Sequence, residues 1–502
     1  MTTSLPSFEE TVAQYDPVLG LEVHVELNTT TKIFSSAPNA FGNEPNTDIT
    51  EVDLGMPGVL PTMNYGAIEA GIKLGLALNC SIAETCRFAR KHYFYPDLPK
   101  NFQISQYDEP IAFDGWVDVE LDDGALFRVE IERAHLEEDA GKLTHMGGSG
   151  RIHSASYALV DYNRAGVPLI EIVTKPIAGA GSRAPELARA YVRTIRDIVR
   201  ALDISDAHME RGNLRCDANV SLRPQGTLEY GTRTETKNVN SMRSVAHAVT
   251  YEMRRQAARL NAGQQVVQET RHWHEDSRTT SAGRIKTDAD DYRYFREPDL
   301  VPIVVDQQWL HRLTAELPEL PDQRRRRLKA EWGTTDATFR DIVHAGALNV
   351  IEATVEAGAT PEAARKWWMG ELARMAHVHD TSLDGLGVTP EDVVELEALI
   401  AEETINDKLA RQVLGYVAAG EGSPREVVEA RALAVVADDD VLGQAIDAAI
   451  AQHPDAVDNI TAGKHQAIGA LIGPVMRATA GQADAARVRE LIMHKLGVAE
   501  EA

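Results

Sequence analysis

The sequence predicts an α+β fold, in which an N-terminal antiparallel-sheet cradle domain with helices precedes an all-α helical domain and a small helical tail domain. Two observations predict this fold. Up to about residue 305 the chain is rich in Gly, Pro, Asn and Tyr, and apolar residues alternate with polar ones at the period of a strand. After about residue 340 it is Ala-rich with helical start signals. We therefore expect domains at 1–305, 306–420 and 421–502.

Three segments of the first part have strand patterns. In GLEVHVEL the apolar residues alternate with Glu22, His24 and Glu26, so the three polar groups share one face. WVDVELDDGALFRVEIER predicts a hairpin that turns at its Asp-Gly pair. VPLIEIV predicts a short, mostly apolar strand that carries Glu171.

Helices are expected both between these strands and after them. One is predicted over 185–202, with a proline near its first turn, and another over 243–261, ending before a glycine. A helical connector is expected at 306–345. In the last third, a capping residue followed by proline marks three helix starts, at Thr360-Pro361, Thr389-Pro390 and Ser423-Pro424. AGEGSP (419–424) is interpreted as a linker.

Composition limits the possible partners. The 502 residues include 51 basic and 76 acidic side chains, a net charge of −25. This charge argues against an unspecific nucleic-acid coat or an anionic membrane as partner, but it leaves room for one local basic patch. Three cysteines, without CxxC spacing, predict a reducing, cytoplasmic location and no structural zinc. Neither a signal peptide nor a membrane-spanning segment is visible.

Acidic and imidazole groups concentrate in the first part of the chain. Converging carboxylates with a histidine suit a hard divalent cation such as Mg²⁺, because they repel one another unless a cation or proton intervenes. Each group taken alone could be a solvated surface group, although Glu171 within an apolar strand is costly to bury unpaired. The groups are the Glu22/His24/Glu26 face, HLEEDAGK (135–142), Glu171, and the pair Glu210 and Asp217.

Four loops mix cations, aromatics and prolines, a composition that suits phosphate contacts and base stacking. Each loop alone is equally compatible with core aromatics beside surface charges. The sequence has no P-loop, Rossmann or G-x-S-x-G motif, and MGGSGR (146–151) is interpreted as a turn. The loops are RKHYFYPDLPKNFQISQY, DYNRAGVP, GTRTETKNVNSM and DDYRYFREPDLVP.

Eight runs, in this order, span almost all of residues 18–302 and resemble the B subunit family of the aspartyl/glutamyl-tRNA(Asn/Gln) amidotransferases. Residues 350–502 resemble that family's helical tail, which is shared with a YqeY-like family, through WWMGEL and GKHQAIGALIGPVM. The eight runs are GLEVHVEL, LGMPGVLPTMN, RKHYFYPDLPKNFQISQYDEPI, HLEEDAGK, DYNRAGVPLIEIV, LRCDANVSLRP, TKNVNSM and DDYRYFREPDLVP.

The resemblance implies a carbon–nitrogen ligase with glutamine as amido donor. In this family the B subunit uses ATP and Mg²⁺ to phosphorylate the side-chain carboxylate of Glu-tRNA(Gln) or Asp-tRNA(Asn). Ammonia channelled from a partner amidase subunit (A) then displaces the phosphate, and a small subunit (C) completes the heterotrimer. A non-catalytic tRNA-binding scaffold is the main alternative, and a stand-alone ATP-grasp-like ligase is a weaker one.

The resemblance also implies roles for single residues. By match to the family's metal and kinase site, Glu22, His24, Glu138 and Glu171 are expected as metal ligands. Glu138, Glu171 and Asp217 are expected to be catalytic, Asp217 less firmly, and Glu210 is carried over only as a neighbour. From charge and position, the candidates for nucleotide or aminoacyl-end contact are Lys91, Tyr95 and Arg164.

Two features qualify the resemblance. Where many relatives carry CxxC, this chain has Thr50, Glu51, Val52 and Asp53, so we expect no zinc. Residues 351–502 hold 26 acidic and 12 basic side chains, a net charge of −14, which is unfavourable for a tRNA-binding tail. We therefore expect tRNA to contact a restricted basic face, with the candidates Lys464, Arg477, Arg487 and Arg489.

Overall fold

A computed structural model describes residues 5–147, 155–285, 292–435, 439–462, 464–479 and 482–498. The chain divides into two compact units, Met1–Arg325 and Arg326–Ala502. The first unit contains all the strands described below and the first helices, and the second is helical. This confirms the predicted α+β class.

The strands belong to one large sheet and two small two-stranded ones. In chain order they are β1 Tyr15–Glu26, β2 Ser81–Ile82, β3 Thr85–Cys86, β4 Ala89–His92, β5 Phe102–Ser105, β6 Ala112–Glu120, β7 Leu126–Glu138, β8 Lys142–Met146, β9 Tyr157–Asp161, β10 Pro168–Thr174, β11 Leu214–Pro224, β12 Thr234–Val239, β13 Glu269–His274, β14 Thr279–Ile285, β15 Phe295–Arg296 and β16 Ile303–Val304.

The large sheet has the order β14-β13-β12-β11-β1-β10-β7-β5-β4-β15, with β6 pairing β7 and β2 beside it. Its described pairs are antiparallel except β12 with β13. β1 lies in the middle, so its side chains have neighbours from strands on both sides. The predicted hairpin is confirmed by β6 and β7, where Val117 faces Val129.

The helices follow the expected pattern of start signals. In chain order they are α1 Phe8–Gln14, α2 Tyr65–Ala77, α3 Ala184–Ala201, α4 Met242–Asn261, α5 Gln307–Ala315, α6 Pro321–Trp332, α7 Asp336–His344, α8 Leu348–Glu356, α9 Pro361–Trp367, α10 Ala373–Val378, α11 Pro390–Ala401, α12 Asp407–Ala418, α13 Pro424–Arg431, α14 Asp439–Gln452, α15 Pro454–Thr461, α16 Gly469–Ala478 and α17 Ala485–Lys495.

The first unit has its hydrophobic core where helices cover one face of the sheet. Leu21, Val23 and Val25 of β1 are fully buried and pack in one cluster with apolar residues of α2, α3 and α4. Since successive strand residues point to opposite faces, Glu22, His24 and Glu26 lie on the other face, as the alternation predicts. Burial of the apolar set therefore fixes which face of β1 is polar.

The second unit contains two hydrophobic clusters. One runs from Ile342 to Val428, and the other from Leu442 to Met493. The first of them includes Val427 and Val428 of α13 and so extends past the expected boundary at residue 420, whereas Leu313 of α5 belongs to the core of the first unit. The three-domain division stays a prediction.

The three proline-marked helix starts are confirmed. Thr360, Thr389 and Ser423 each accept a hydrogen bond from a backbone N–H of the first turn, and proline follows at the first helical position. Most of MGGSGR and the start of DDYRYFREPDLVP lie outside the described residues. No helix within the described ranges is long and apolar enough to cross a membrane.

Candidate active site

Three neighbouring strands bring sequence-distant polar residues together on the face of the sheet opposite the helices. His24 of β1 faces Glu171 of β10, and Glu171 faces His135 of β7. Directly opposed residues of antiparallel strands have Cβ atoms about 4.5–5.5 Å apart. The register therefore builds one polar row across β1, β10 and β7.

The first group in this row, the histidine cluster, consists of His24, Glu137 and Glu171. One ligand atom from each lies within 4.8 Å of the others. His24 Nε2 is 4.0 Å from both Glu137 Oε1 and Glu171 Oε1. Behind them, His135 Nε2 lies 3.1 Å from Glu171 Oε2 and 3.9 Å from Glu137 Oε2. The three residues can converge on one cation, and His135 holds the two carboxylates in place.

Charges within the histidine cluster stabilise one another. Burial alone would lower the pKa of His135, but Glu171 and Glu137 outweigh it and raise that pKa to about 9. Burial would raise the pKa of Glu171, whereas His135, His24 and Lys91 bring it well below its ordinary value. Without a metal, His135 is therefore an imidazolium that balances part of the carboxylate charge.

A second group, the carboxylate cluster, lies beside the first. Glu22, Asp217 and Glu235 each offer an oxygen within 4.8 Å of the others. Lys237 Nζ donates to Asp217 Oδ2 at 2.6 Å and lies 3.4 Å from Glu235 Oε1. Asn219 Nδ2 donates to Glu22 Oε1 at 2.9 Å. Three carboxylates against one ammonium group leave negative charge that a divalent cation would neutralise.

The donor sets of both clusters fit metal ions. The carboxylate cluster offers oxygen atoms alone, the ligands that Mg²⁺ prefers, while the histidine cluster adds one imidazole to two carboxylates. Glu22 and His24 are alternate residues of β1, so their Cα atoms are about 7 Å apart. That spacing places two cation sites along one strand with room for phosphate oxygens between them.

A third group follows at the end of β1. Arg215 donates to Asp139 Oδ2 at 2.5 Å and lies 3.8 Å from Glu26 Oε1. Arg164 Nε lies 3.4 Å from the same Asp139 oxygen. Burial and the neighbouring Asp139 raise the pKa of Glu26 to about 8, although Arg215 opposes this. Glu26 is thus the member of this group that holds a proton at neutral pH.

Four of the five expected metal or catalytic residues belong to one of the two clusters, but Glu138 does not. It lies on the opposite side of β7 from Glu137. Both of its carboxylate oxygens accept from Lys100 Nζ at 2.6 Å, and Oε1 also accepts from the backbone N–H of Ile104 at 2.8 Å. The structure brings Glu137 to His24 in its place, because neighbouring residues of a strand point to opposite faces.

The other expected contacts have different surroundings. Lys91 Nζ lies 5.1 Å from the ring centre of Tyr292, and Tyr294, Glu137 and Glu171 raise its pKa despite its burial, so it remains a cation beside the histidine cluster. Arg164 donates to the carbonyls of Ala140 and Gly141. Tyr95 is exposed on the loop after β4, and Glu210 is exposed on a short turn outside both clusters.

The four tRNA-binding candidates of the second unit are exposed. Lys464 precedes α16, Arg477 lies in its last turn, and Arg487 and Arg489 lie on α17. Arg487 pairs with Glu490 at 2.7 Å. Their role in binding tRNA stays a prediction.

Sequence reasoning did not select Glu137, His135 or Glu235 as site residues. A signal for the first two was present. If HLEEDAGK begins as a strand, Leu136 faces the core, and period two then places His135 and Glu137 together on the polar face. Glu235 gave no such signal, because β12 reaches Asp217 through its pairing with β11.

Comparison with known proteins identifies the family. The model of the GatB/GatE catalytic domain matches residues 17–311, and that of the GatB domain matches residues 349–496. The chain belongs to the GatB family. Both candidate clusters lie within the segment that matches the catalytic domain.

Relatives in the GatB family match the chain over nearly its whole length. A protein of Pseudarthrobacter chlorophenolicus is 66% identical over 498 residues, covering 99% of each chain. Proteins of Kineococcus radiotolerans and Streptomyces coelicolor are each 60% identical and cover 99% of this chain and 100% and 99% of their own. All three carry the name of the B subunit of aspartyl/glutamyl-tRNA(Asn/Gln) amidotransferase.

Proposed function

We propose that this chain is the B subunit of an aspartyl/glutamyl-tRNA(Asn/Gln) amidotransferase and carries the site that activates and amidates the misacylated amino acid with ATP. The observation that carries the proposal is the pair of clusters on one polar face, inside a segment matching the GatB/GatE catalytic domain. The alternative of a non-catalytic scaffold leaves the two clusters without a role.

The reaction begins on the side-chain carboxylate of Glu or Asp esterified to tRNA. One of its oxygens forms a bond to the γ-phosphorus of ATP, and the bond from that phosphorus to the ADP oxygen breaks. Ammonia then forms the C–N bond, phosphate leaves with the electrons of the C–O bond, and a proton passes from nitrogen to solvent. Phosphoryl transfer depends mainly on alignment and charge neutralisation, since the protein does little covalent chemistry.

The residues of the two clusters suit this task. Glu22, Asp217 and Glu235, and separately His24, Glu137 and Glu171, would hold divalent cations, which neutralise phosphate oxygens when bound. Lys91 would orient the terminal phosphate, because it is a fixed cation next to Glu137 and Glu171. His135 fixes the direction of the two carboxylates that it contacts.

Partners follow from the same proposal. Ammonia would come from an amidase subunit (A), and a small subunit (C) would complete a heterotrimer, since the relatives' name describes one subunit of an amidotransferase. Glu-tRNA(Gln) and Asp-tRNA(Asn) are the substrates, and ATP and Mg²⁺ are required. The expectation of no zinc and that of a cytoplasmic location stay predictions.

Reconstitution of the complex tests the proposal. The chain is combined with its A and C partners, ATP, Mg²⁺ and either misacylated tRNA, and ammonium chloride replaces glutamine so that the amidase is bypassed. ADP release should require the aminoacyl-tRNA and should accompany formation of the amide. Glu171→Gln should lower kcat/KM by about 100-fold or more, the typical effect of removing one group that stabilises transition-state charge.

The matched control is Glu210→Gln, which removes a carboxylate outside the clusters and should leave activity within about twofold of wild type, as expected for a surface change. Full activity of a folded Glu171→Gln complex would overturn the assignment and support the scaffold alternative. The two tRNA arms identify which aminoacyl-tRNA this enzyme amidates.

A further inference from the structure

A cavity of about 420 Å³ lies next to the carboxylate cluster on the polar face of the sheet. Its wall includes Glu22, so the cavity and the cluster share a residue. Gly20 of β1 and Asn219 of β11 face each other in its wall, and Tyr230 and Arg233 lie at exposed positions beside them. Neither metal-binding cluster fills this space.

Gly20 makes the wall flat at this point. Val18, Gly20 and Glu22 are alternate residues of β1 and share the polar face, and Gly20 is the one without a side chain. A Cβ atom added to it would meet Asn219 Cβ at 3.4 Å, which is ordinary contact. Glycine within a strand often marks close approach of a ligand to the backbone. A flat ring could lie against β1 here.

Asn219 has an unused hydrogen-bond acceptor. The residue is 5% exposed, and its Nδ2 donates to Glu22 Oε1 at 2.9 Å. Only the amide nitrogen can donate to a carboxylate, so this bond fixes which way the amide points. Its Oδ1 has no hydrogen-bond partner within the part of the chain that the structure describes. A buried oxygen without a partner costs about 1–3 kcal/mol, so a ligand with an N–H donor would gain by reaching it.

The order of features along β1 indicates which ligand fits. From Gly20 the strand runs to Glu22 of the carboxylate cluster and then to His24 of the histidine cluster, about 7 Å and about 14 Å away at 3.4 Å per residue. A flat ring with an amine at the first position, followed by two cation sites, matches the order base, inner phosphates and terminal phosphate. Adenine provides both the flat ring and the exocyclic amine.

We propose that this cavity binds the adenine nucleoside of ATP, with the ring against Gly20 and the exocyclic amine donating to Asn219 Oδ1. The triphosphate then runs along β1 past the carboxylate cluster, so that its terminal phosphate reaches the histidine cluster. This inference rests on the proposed function and adds the nucleoside subsite to it. The terminal adenosine of the aminoacyl-tRNA has the same base chemistry, but the two cation sites in line with the cavity favour ATP.

Gly20→Ala and Gly20→Val, introduced into the reconstituted complex, test this subsite. The first adds one methyl group at contact distance, and the second adds a branched side chain that occupies the position of the ring. Binding of ATP and of ITP, which has a carbonyl in place of the amine, is measured directly with Mg²⁺ by equilibrium dialysis. The KM values for ATP and for aminoacyl-tRNA are measured in parallel.

Wild type should bind ATP at least tenfold more tightly than ITP. Gly20→Val should weaken ATP binding at least tenfold, Gly20→Ala should weaken it less, and the KM for aminoacyl-tRNA should change less than twofold for both variants. Unchanged unfolding temperatures and an unchanged glutaminase rate of the A subunit show that the complex is intact. If Gly20→Val does not fold, Gly20→Ala and the comparison of ATP with ITP still decide the outcome.

The contrary outcomes are distinct. Unchanged ATP binding by Gly20→Ala and Gly20→Val, or equal binding of ATP and ITP by wild type, overturns the subsite while leaving the proposed function intact. A rise in the KM for aminoacyl-tRNA without loss of ATP binding assigns the cavity to the tRNA end instead and also overturns the proposal. Absence of ATP-dependent amidation by the wild-type complex would contradict the proposed function itself.

Discussion

Glu26 and Asp139 share a hydrogen bond at the end of the polar face, and two arginines lie next to them. The carboxyl group of Glu26 has a pKa raised from 4.5 to about 8 by burial and by Asp139. Folding therefore strengthens proton binding by Glu26. The unfolded chain loses this proton above about pH 4.5, whereas the folded chain keeps it to about pH 8, so this contribution to stability decreases as pH rises through that window.

Glu26→Gln should remove this pH dependence, because an amide cannot ionise. In the presence of a chelator, the unfolding temperature of the variant minus that of wild type should rise between about pH 5 and pH 8, by a few degrees in total. Thermal unfolding followed by circular dichroism at several pH values measures it. The exposed Glu229→Gln serves as control, and a difference that does not change with pH for Glu26→Gln would contradict the expectation.

The parity of a strand separates two adjacent glutamates that the sequence alone does not distinguish. Glu137 lies beside His24, and Glu138 binds Lys100 and the backbone of Ile104 on the other side of β7. Both are buried. Any experiment that removes Glu138 therefore breaks a buried ion pair as well, and its effect on activity is not by itself a sign of metal binding.

At the scale of elements, α5 is held against α2 by one set of polar contacts. Glu69 of α2 accepts from Trp309 Nε1 at 2.9 Å and from Arg312, both of α5. The rings of Tyr65 and Trp309 stack at 4.9 Å. Burial would raise the pKa of Glu69, but the hydrogen bonds from Arg312 and Trp309 outweigh it and lower that pKa. The start of the expected connector thus packs on the first unit.

Glu69→Gln should weaken this attachment. A carboxylate with a lowered pKa stabilises the fold above its unfolded pKa of about 4.5 and loses that effect as pH falls through its folded pKa. The variant should unfold a few degrees below wild type at pH 7, a modest effect because water screens the pair, and the gap should narrow in acid. Differential scanning calorimetry at pH 7 and pH 4 measures it, and a gap that widens in acid would contradict the assignment.

Helix starts were the most predictable elements. Thr360, Thr389 and Ser423 all cap helices as expected, because a cap needs only the residues within one turn. The strands of the hairpin and of GLEVHVEL were equally local, since alternation alone defines their faces. β12 and β13 were not anticipated, because their pairing with each other and with β11 depends on contacts distant in sequence.

At the scale of the whole molecule, charge and core both divide the chain. The net charge of −14 in residues 351–502 coincides with the helical unit, whose last hydrophobic cluster begins at Leu442. The preceding cluster includes Val427 and Val428, so a cut at residue 420 would remove part of its packing. A cut after residue 435 removes the last cluster and keeps the described members of the preceding one.

Deletion of residues 436–502 should weaken binding of tRNA by the complex at least tenfold and change ATP binding less than twofold, because both candidate metal clusters lie in the first unit. A matched full-length variant reverses the charge of Arg477, Arg487 and Arg489. It should reduce the slope of log Kd against log salt by about one unit for each phosphate that the variant no longer binds. An unchanged tRNA affinity in both variants would exclude the tail as a tRNA-binding element.

The sequence by itself determined the α+β class, the polar face of β1, the capped helices and, through eight family runs, the activity to be tested. Those features depend on local periodicity or on residue identity. Only the tertiary structure decided that His24 meets Glu137 and Glu171, that Glu22 meets Asp217 and Glu235, and that Glu138 lies apart from both clusters. The physical reason is that cross-strand register, set by burial of the opposite face, determines which distant residues become neighbours.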